Sequence, residues 1–108
     1  MFCGAGGMTE GLMLACRELG LNPKVVAINH WAQAIETHSL NHPETSHYCD
    51  EMQSLDPRAV VPSGKLDLLL AGPECTHFSR ARGGKPKSDQ RRASAWHVVR
   101  WAEALNIR

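Results

Sequence analysis

The chain has 108 residues, 43% of them hydrophobic and 21% charged, with a formal net charge of +1. That length suits one small domain. No apolar run approaches the ~18 residues of a membrane span, the start "MFCGAGGMTEG" is too polar for a secretory signal, and the near-neutral balance excludes a globally basic nucleic-acid-binding domain.

From the amino terminus, "MFC" reads as the last residues of a first strand and "GAGG" as a loop. Residues 8–20 place Leu12, Ala15, Cys16 and Leu19 at helical spacing, with Thr9 positioned to cap the helix and Gly20 to stop it. Residues 24–29, "KVVAIN", are short, β-branched and preceded by Pro23, which predicts a strand. Residues 31–41 predict a helix with Ala34, Ile35, His38 and Leu40 near one face, and a short strand is expected around residues 46–48. "DPRAVV" predicts one helical turn with Pro57 at its first position. "KLDLLLA", residues 65–71, has the character of a strand buried on both faces of a parallel sheet. Residues 88–105 predict a last helix with Val98, Trp101, Ala102 and Leu105 on one stripe and Ala95 behind; the next strand should start at "ALNIR".

This alternation predicts an α/β fold with a doubly wound, mostly parallel sheet. Both ends read as cut, so residues 1–108 are expected to be part of a longer protein. Ligands of such sheets bind beyond the carboxyl ends of the strands. "CGAGG", "NHW" and "GPECT" all fall at such ends.

Cysteines stand at positions 3, 16, 49 and 75, with no C-x-x-C pair. His77 follows Cys75 by two residues and His47 precedes Cys49 by two, but no zinc spacing results. Free thiols in a reducing cytoplasm, and no metal, are expected.

In "FCGAGG" three glycines join a strand to a helix. Such a turn lets backbone N–H groups approach a carboxylate or phosphate. A dinucleotide fingerprint fails, because Thr9 stands where G-x-G-x-x-G needs its third glycine. After the second strand, Asn29 and His30 are able to bond a ribose hydroxyl. Trp31 is able to stack on a purine, and Asp50 to accept from an exocyclic amine. Cys75 follows the turn Gly72-Pro73: either a reactive thiol at the mouth of a cleft or a small apolar residue ending a strand. After it, Arg80, Arg82, Lys85, Lys87, Arg91 and Arg92 stand against Asp89 alone.

With these segments in order, the chain resembles the start of a C5-cytosine-specific DNA methyltransferase. "FCGAGG" resembles the family's F-x-G-x-G-G loop, Trp31 its aromatic residue after the second strand, Asp50 its aspartate after the third, and "GPEC" its G-P-P-C turn. The resemblance implies a Rossmann-like, S-adenosylmethionine-dependent fold, truncated after its cofactor half and cysteine loop. It implies Cys75 as nucleophile and Phe2, Gly4, Ala5, Gly6, Gly7, His30, Trp31, Asp50, Gly72 and Pro73 around the cofactor. Ser79, Arg80, Arg82, Lys85 and Lys87 would meet the phosphates of double-stranded DNA, from which the target base is flipped. It further implies a cytoplasmic bacterial or phage-encoded enzyme of the restriction-modification kind, with no membrane and no obligate protein partner.

Two residues depart from the family pattern. Glu74 replaces a proline, and a carboxylate facing the site would raise the Cys75 thiol pKa. His30 replaces an acidic residue. The later E-N-V segment, arginine motif and target-recognition region are absent, so residues 1–108 alone are expected to be inactive. Rival expectations are a tRNA cytosine-5 methyltransferase, a nucleoside-binding module without chemistry, and a nicotinamide-dependent dehydrogenase; the missing third glycine argues against the last.

Overall fold

A computed structural model describes residues 1–73 and 93–107. The chain divides into two compact units, Met1–Glu51 and Met52–Arg108.

The first unit contains helix α1 (Gly7–Glu18), strand β1 (Val26–Asn29), helix α2 (Ala32–Asn41) and strand β2 (Ser46–Cys49). β1 and β2 pair in parallel, from Val26 opposite Ser46 to Asn29 opposite Cys49. Ala27, Ile28 and Asn29 are buried. Beside them, the expected first strand takes the form of one backbone bond, from the Cys3 N–H to the Ile28 carbonyl at 3.3 Å.

Gly20, at φ 69°, ends α1 as expected. The Gly20 N–H donates to the Arg17 carbonyl and the Leu21 N–H to that of Cys16. This double closure needs a left-handed residue, which glycine supplies without a Cβ clash. The start of α1 differs from expectation. Gly6 occupies the cap position and no side chain caps the helix. Thr9 is buried, and its hydroxyl bonds His38 instead. Leu12 and Cys16 are half-buried, but Ala15 and Leu19 are exposed. On α2, Ala34 and His38 are buried as expected, whereas Leu40 is 78% exposed. Leu40 lies two residues beyond His38, about 200° round the helix, so the two cannot share a face.

The second unit contains helix α3 (Pro57–Val60), strand β3 (Lys65–Leu66), helix α4 (Ala93–Ala104) and strand β4 (Asn106–Ile107). Pro57 opens α3 as expected, and an Asp56 carboxylate oxygen caps it by accepting the Arg58 N–H at 3.0 Å. β3 and β4 pair in parallel over two residue pairs. The strand expected at 65–71 is therefore limited to the length of its ladder, and Leu68 is 52% exposed. β4 lies where the sequence places it. Of the stripe expected on α4, Trp101 and Leu105 join Met52 and Val60 in the core, Val98 is half-buried, and Ala95 and Ala102 are exposed. Residues 88–92 of that helix lie outside the described residues.

The described strands form two two-stranded parallel sheets, in an α/β arrangement. Among the described residues no helix is long and apolar enough to cross a membrane.

One side chain ties the second unit together. The Arg100 guanidinium, on α4, donates to the carbonyls of Met52 and Leu55, the latter at 3.0 Å. These carbonyls precede α3 and have no helical partner to use instead. Arg100→Ala leaves them without their charged donor and is expected to lower stability by about 2 kcal/mol. Urea denaturation followed by near-UV circular dichroism checks this; an unchanged midpoint would show the bonds to be dispensable.

Candidate functional site

The glycine turn is built by backbone geometry. The Gly6 N–H donates to the Cys3 carbonyl at 3.3 Å, closing the loop, and the Gly6 carbonyl accepts from the Glu10 N–H at 2.8 Å, opening α1. Phe2, Gly4 and Gly6 all have positive φ, 54°, 56° and 111°. At Gly6 two constraints coincide. A Cβ there would be strained by φ, and it would lie 2.8 Å from Cδ2 and Nε2 of the buried His42 ring. Glycine alone satisfies both. No side-chain cap bond closes the start of α1, and the N–H groups of a helix start are a general site of attraction for anions.

The turn after β1 divides its labour differently from the expectation. Asn29 is buried, and its Oδ1 accepts the Trp31 N–H at 3.0 Å. The side chain thus holds the turn, and His30 is exposed. Trp31 is 60% exposed, and its carbonyl starts α2 by accepting from Ala34 and Ile35. Asp50 follows β2, its N–H bonded to the Asn29 carbonyl at 3.1 Å. Its Oδ1 accepts the Glu51 N–H at 2.7 Å, and the residue is exposed. The register of β1 and β2 therefore sets His30, Trp31 and Asp50 at one carboxyl edge. The Cys3–Ile28 bond brings Gly4, Ala5, Gly6 and Gly7 to the same end of β1.

Sequence reasoning did not find the support of the turn. Asn41, at the end of α2, donates from Nδ2 to the Ala5 carbonyl at 3.0 Å. Behind Gly6 lies a histidine cluster. His38 is fully buried, with Nε2 2.9 Å from Thr9 Oγ1 and Nδ1 2.8 Å from His47 Nε2. The rings of His42 and His47 each lie 4.9 Å from that of His38, centroid to centroid. Burial, then the neighbouring His47 and His42, pushes the His38 pKa down from its ordinary value. The only signal in the sequence was the density of histidines between residues 38 and 47.

Cys3 is buried beneath the turn, and burial pushes its thiol pKa up, keeping it protonated. Gly72 is exposed and Pro73 half-buried, both in the second unit. Glu74, Cys75, Ser79, Arg80, Arg82, Lys85 and Lys87 lie outside the described residues.

The sequence model of the C-5 cytosine-specific DNA methylase family matches residues 1–106. The chain is similar to the Type II methyltransferase M.AgeI of Thalassovita gelatinovora, with 33% identity over 84 residues. That match covers 73% of this chain and 18% of the relative. Similarity to the Type II methyltransferase M.HgiDI of Herpetosiphon aurantiacus is 32% over 81 residues, covering 75% of this chain and 25% of the relative. With the Type II methyltransferase M.DdeI of Desulfomicrobium norvegicum it is 29% over 104 residues, 95% of this chain and 24% of that protein. The chain thus spans about a fifth to a quarter of the length of these relatives.

Two outcomes follow from the geometry of the turn. Gly6→Ala meets both the φ penalty and the His42 ring and is expected to cost about 2–3 kcal/mol, against about 1 kcal/mol for Asn41→Ala, which loses one hydrogen bond. Denaturant titration of both variants checks the order; equal costs would mean that the His42 ring moves aside freely. Between its lowered pKa and the ordinary value of 6.5, His38 binds fewer protons folded than unfolded. Stability is therefore expected to fall as pH drops below about 6.5. A thermal midpoint that stays flat from about pH 7 to 5 would contradict this.

Proposed function

The chain belongs to the C-5 cytosine-specific DNA methylase family, and from that premise we propose that it is the N-terminal part of a catalytic domain that methylates C5 of cytosine in double-stranded DNA, using S-adenosylmethionine. One observation carries the reading: the glycine turn, the His30–Trp31 turn and Asp50 meet at the carboxyl edge of paired parallel strands within one unit. Ligands of a Rossmann-like sheet bind at that edge.

The residues fit the cofactor. The uncapped start of α1 suits the methionine carboxylate. The exposed Trp31 indole offers a face to adenine. Asp50 accepts from the exocyclic amine, and His30 bonds the ribose hydroxyls, Asn29 being engaged by the backbone. Phe2 and Ala5 complete the wall; Gly72 and Pro73 directly precede the Glu74-Cys75 pair in sequence. Bound there, S-adenosylmethionine supplies an electrophilic methyl group.

Cys75 supplies the activation that the base lacks. Its thiolate adds to C6 of a flipped cytosine, forming an S–C6 bond and moving the ring electron pair to C5. C5 would then attack the methyl group, whose bond to the sulfonium sulfur would break, the bonding pair leaving with sulfur as a neutral thioether. A base then removes the C5 proton, the electron pair restores the ring double bond, and the S–C6 bond breaks. Arg80, Arg82, Lys85 and Lys87, with Ser79, meet DNA phosphates.

In the complete enzyme, Cys75→Ala is expected to lower methyl transfer to duplex DNA by at least about a thousandfold, with S-adenosylmethionine still bound. Transfer assays with tritiated cofactor on duplex DNA and on tRNA, beside equilibrium dialysis of the cofactor, make the test. Retained transfer would remove Cys75 from the chemistry. Transfer to tRNA alone would replace the substrate.

A further inference from the structure

The histidines behind the glycine turn are absorbed by none of the chemistry above, yet they touch the part of the chain that the cofactor reading depends on. His42 packs where a Gly6 Cβ would be, at 2.8 Å. His38 lies 3.5 Å from the same point and reaches Thr9, in the first turn of α1, through Nε2. His47, on β2, closes the chain of contacts at His38 Nδ1. We propose that His38, His42 and His47 are positioning residues that hold the glycine turn in its cofactor-binding shape, and that a second proton taken up by the cluster releases the turn. This inference rests on the cofactor reading of the turn.

The argument is one of hydrogen counting. Across the 2.8 Å contact between His38 Nδ1 and His47 Nε2, one nitrogen carries a hydrogen and the other a lone pair. One added proton is accommodated: His38 then donates from Nδ1 to His47 and from Nε2 to the Thr9 hydroxyl oxygen. Two are not. With His38 and His47 both charged, two N–H groups face each other with no acceptor between them, at a part-buried contact whose His38 side is sealed from solvent. His42 brings a third ring to the same volume. Among the described residues, the carboxylate paired with the cluster is that of Glu44, 3.9 Å from His42 Nδ1 and itself 55% exposed. It is too distant and too wet to neutralise a second charge. α1 contributes Thr9, which is uncharged, β1 has no titratable side chain, and the turn presents backbone. The strain is relieved by moving the rings, and the first thing they support is Gly6.

The test reads the turn directly and the cofactor separately. Amide hydrogen exchange gives protection factors for Gly6 and Glu10, whose N–H groups close the turn and open α1, against Ser46, whose N–H bonds the Val25 carbonyl beside the β ladder. Between about pH 7.5 and pH 5.5, protection at Gly6 and Glu10 is expected to fall about tenfold while that at Ser46 changes less than about twofold. S-adenosylmethionine affinity, by isothermal titration, is expected to fall at least about fivefold over the same range. In His47→Gln, whose amide keeps a hydrogen-bonding partner but takes no proton, both pH ratios are expected to shrink to within about twofold. Loss of protection at all three amides together, no loss at any, or an unchanged pH response in His47→Gln would overturn the proposal. Absence of cofactor binding at every pH, with the selective amide response intact, would sink the cofactor reading and support the buttress.

Discussion

The parallel pairing of Val26–Asn29 with Ser46–Cys49 is the constraint on which the candidate site depends. In-register parallel strands end together, so whatever follows one stands beside whatever follows the other. Asn29 opposite Cys49 places the His30–Trp31 turn and Asp50 as neighbours, and the bond from the Asp50 N–H to the Asn29 carbonyl carries the ladder one step past the strands. A slip of one residue would reverse every side chain in β2 and turn His47 away from His38. The site and its support therefore answer to the same register.

Much of this was legible because it is local. A φ-permissive glycine after a helix, a proline at a first turn, and an aspartate before it each act within four residues, and Gly20, Pro57 and Asp56 all behave as their chemistry dictates. What was not legible acts at long range. Thr9 has the right chemistry for a cap, but His38, 29 positions away, competes for its hydroxyl and wins, because a buried imidazole needs a partner more than an N-terminus that water can reach. Asn41 and Ala5 are 36 positions apart. No periodicity announces such a contact. The strand expected at 65–71 fails for a related reason: apolar composition sets the tendency, but the partner sets the length, and β4 offers two residues.

The Asn29 carboxamide shows how a plausible assignment is redirected by burial. Its chemistry suits a ribose hydroxyl as well as that of His30. Buried at 8% exposure, however, it must find its bonds inside the fold, and it finds the Trp31 N–H two residues ahead. The consequence reaches the site. By fixing the backbone of Trp31, Asn29 sets where the indole stands and where α2 begins, since the Trp31 carbonyl receives the first helical bonds. Asn29 thus acts on the candidate site indirectly, by fixing the backbone that carries the ring.

An exposed indole and an uncapped helix are both unfavourable in isolation. Leaving a Trp side chain mostly in water forgoes about 1.5–2 kcal/mol of burial, and a glycine in place of a capping side chain costs roughly a few tenths of a kcal/mol more. Neither loss is forced by the sequence. Thr9 has a hydroxyl that is engaged elsewhere, and the α2 face beside Trp31 has buried positions at Ala34 and His38. Both losses stand at one edge, where Asn29, Asn41 and the histidines also make their bonds, and the proposed cofactor would bring an aromatic ring and an anion to that edge together. An adenosyl group joined to an amino acid carries both, and that is the strongest physical reason to read the edge as a cofactor site.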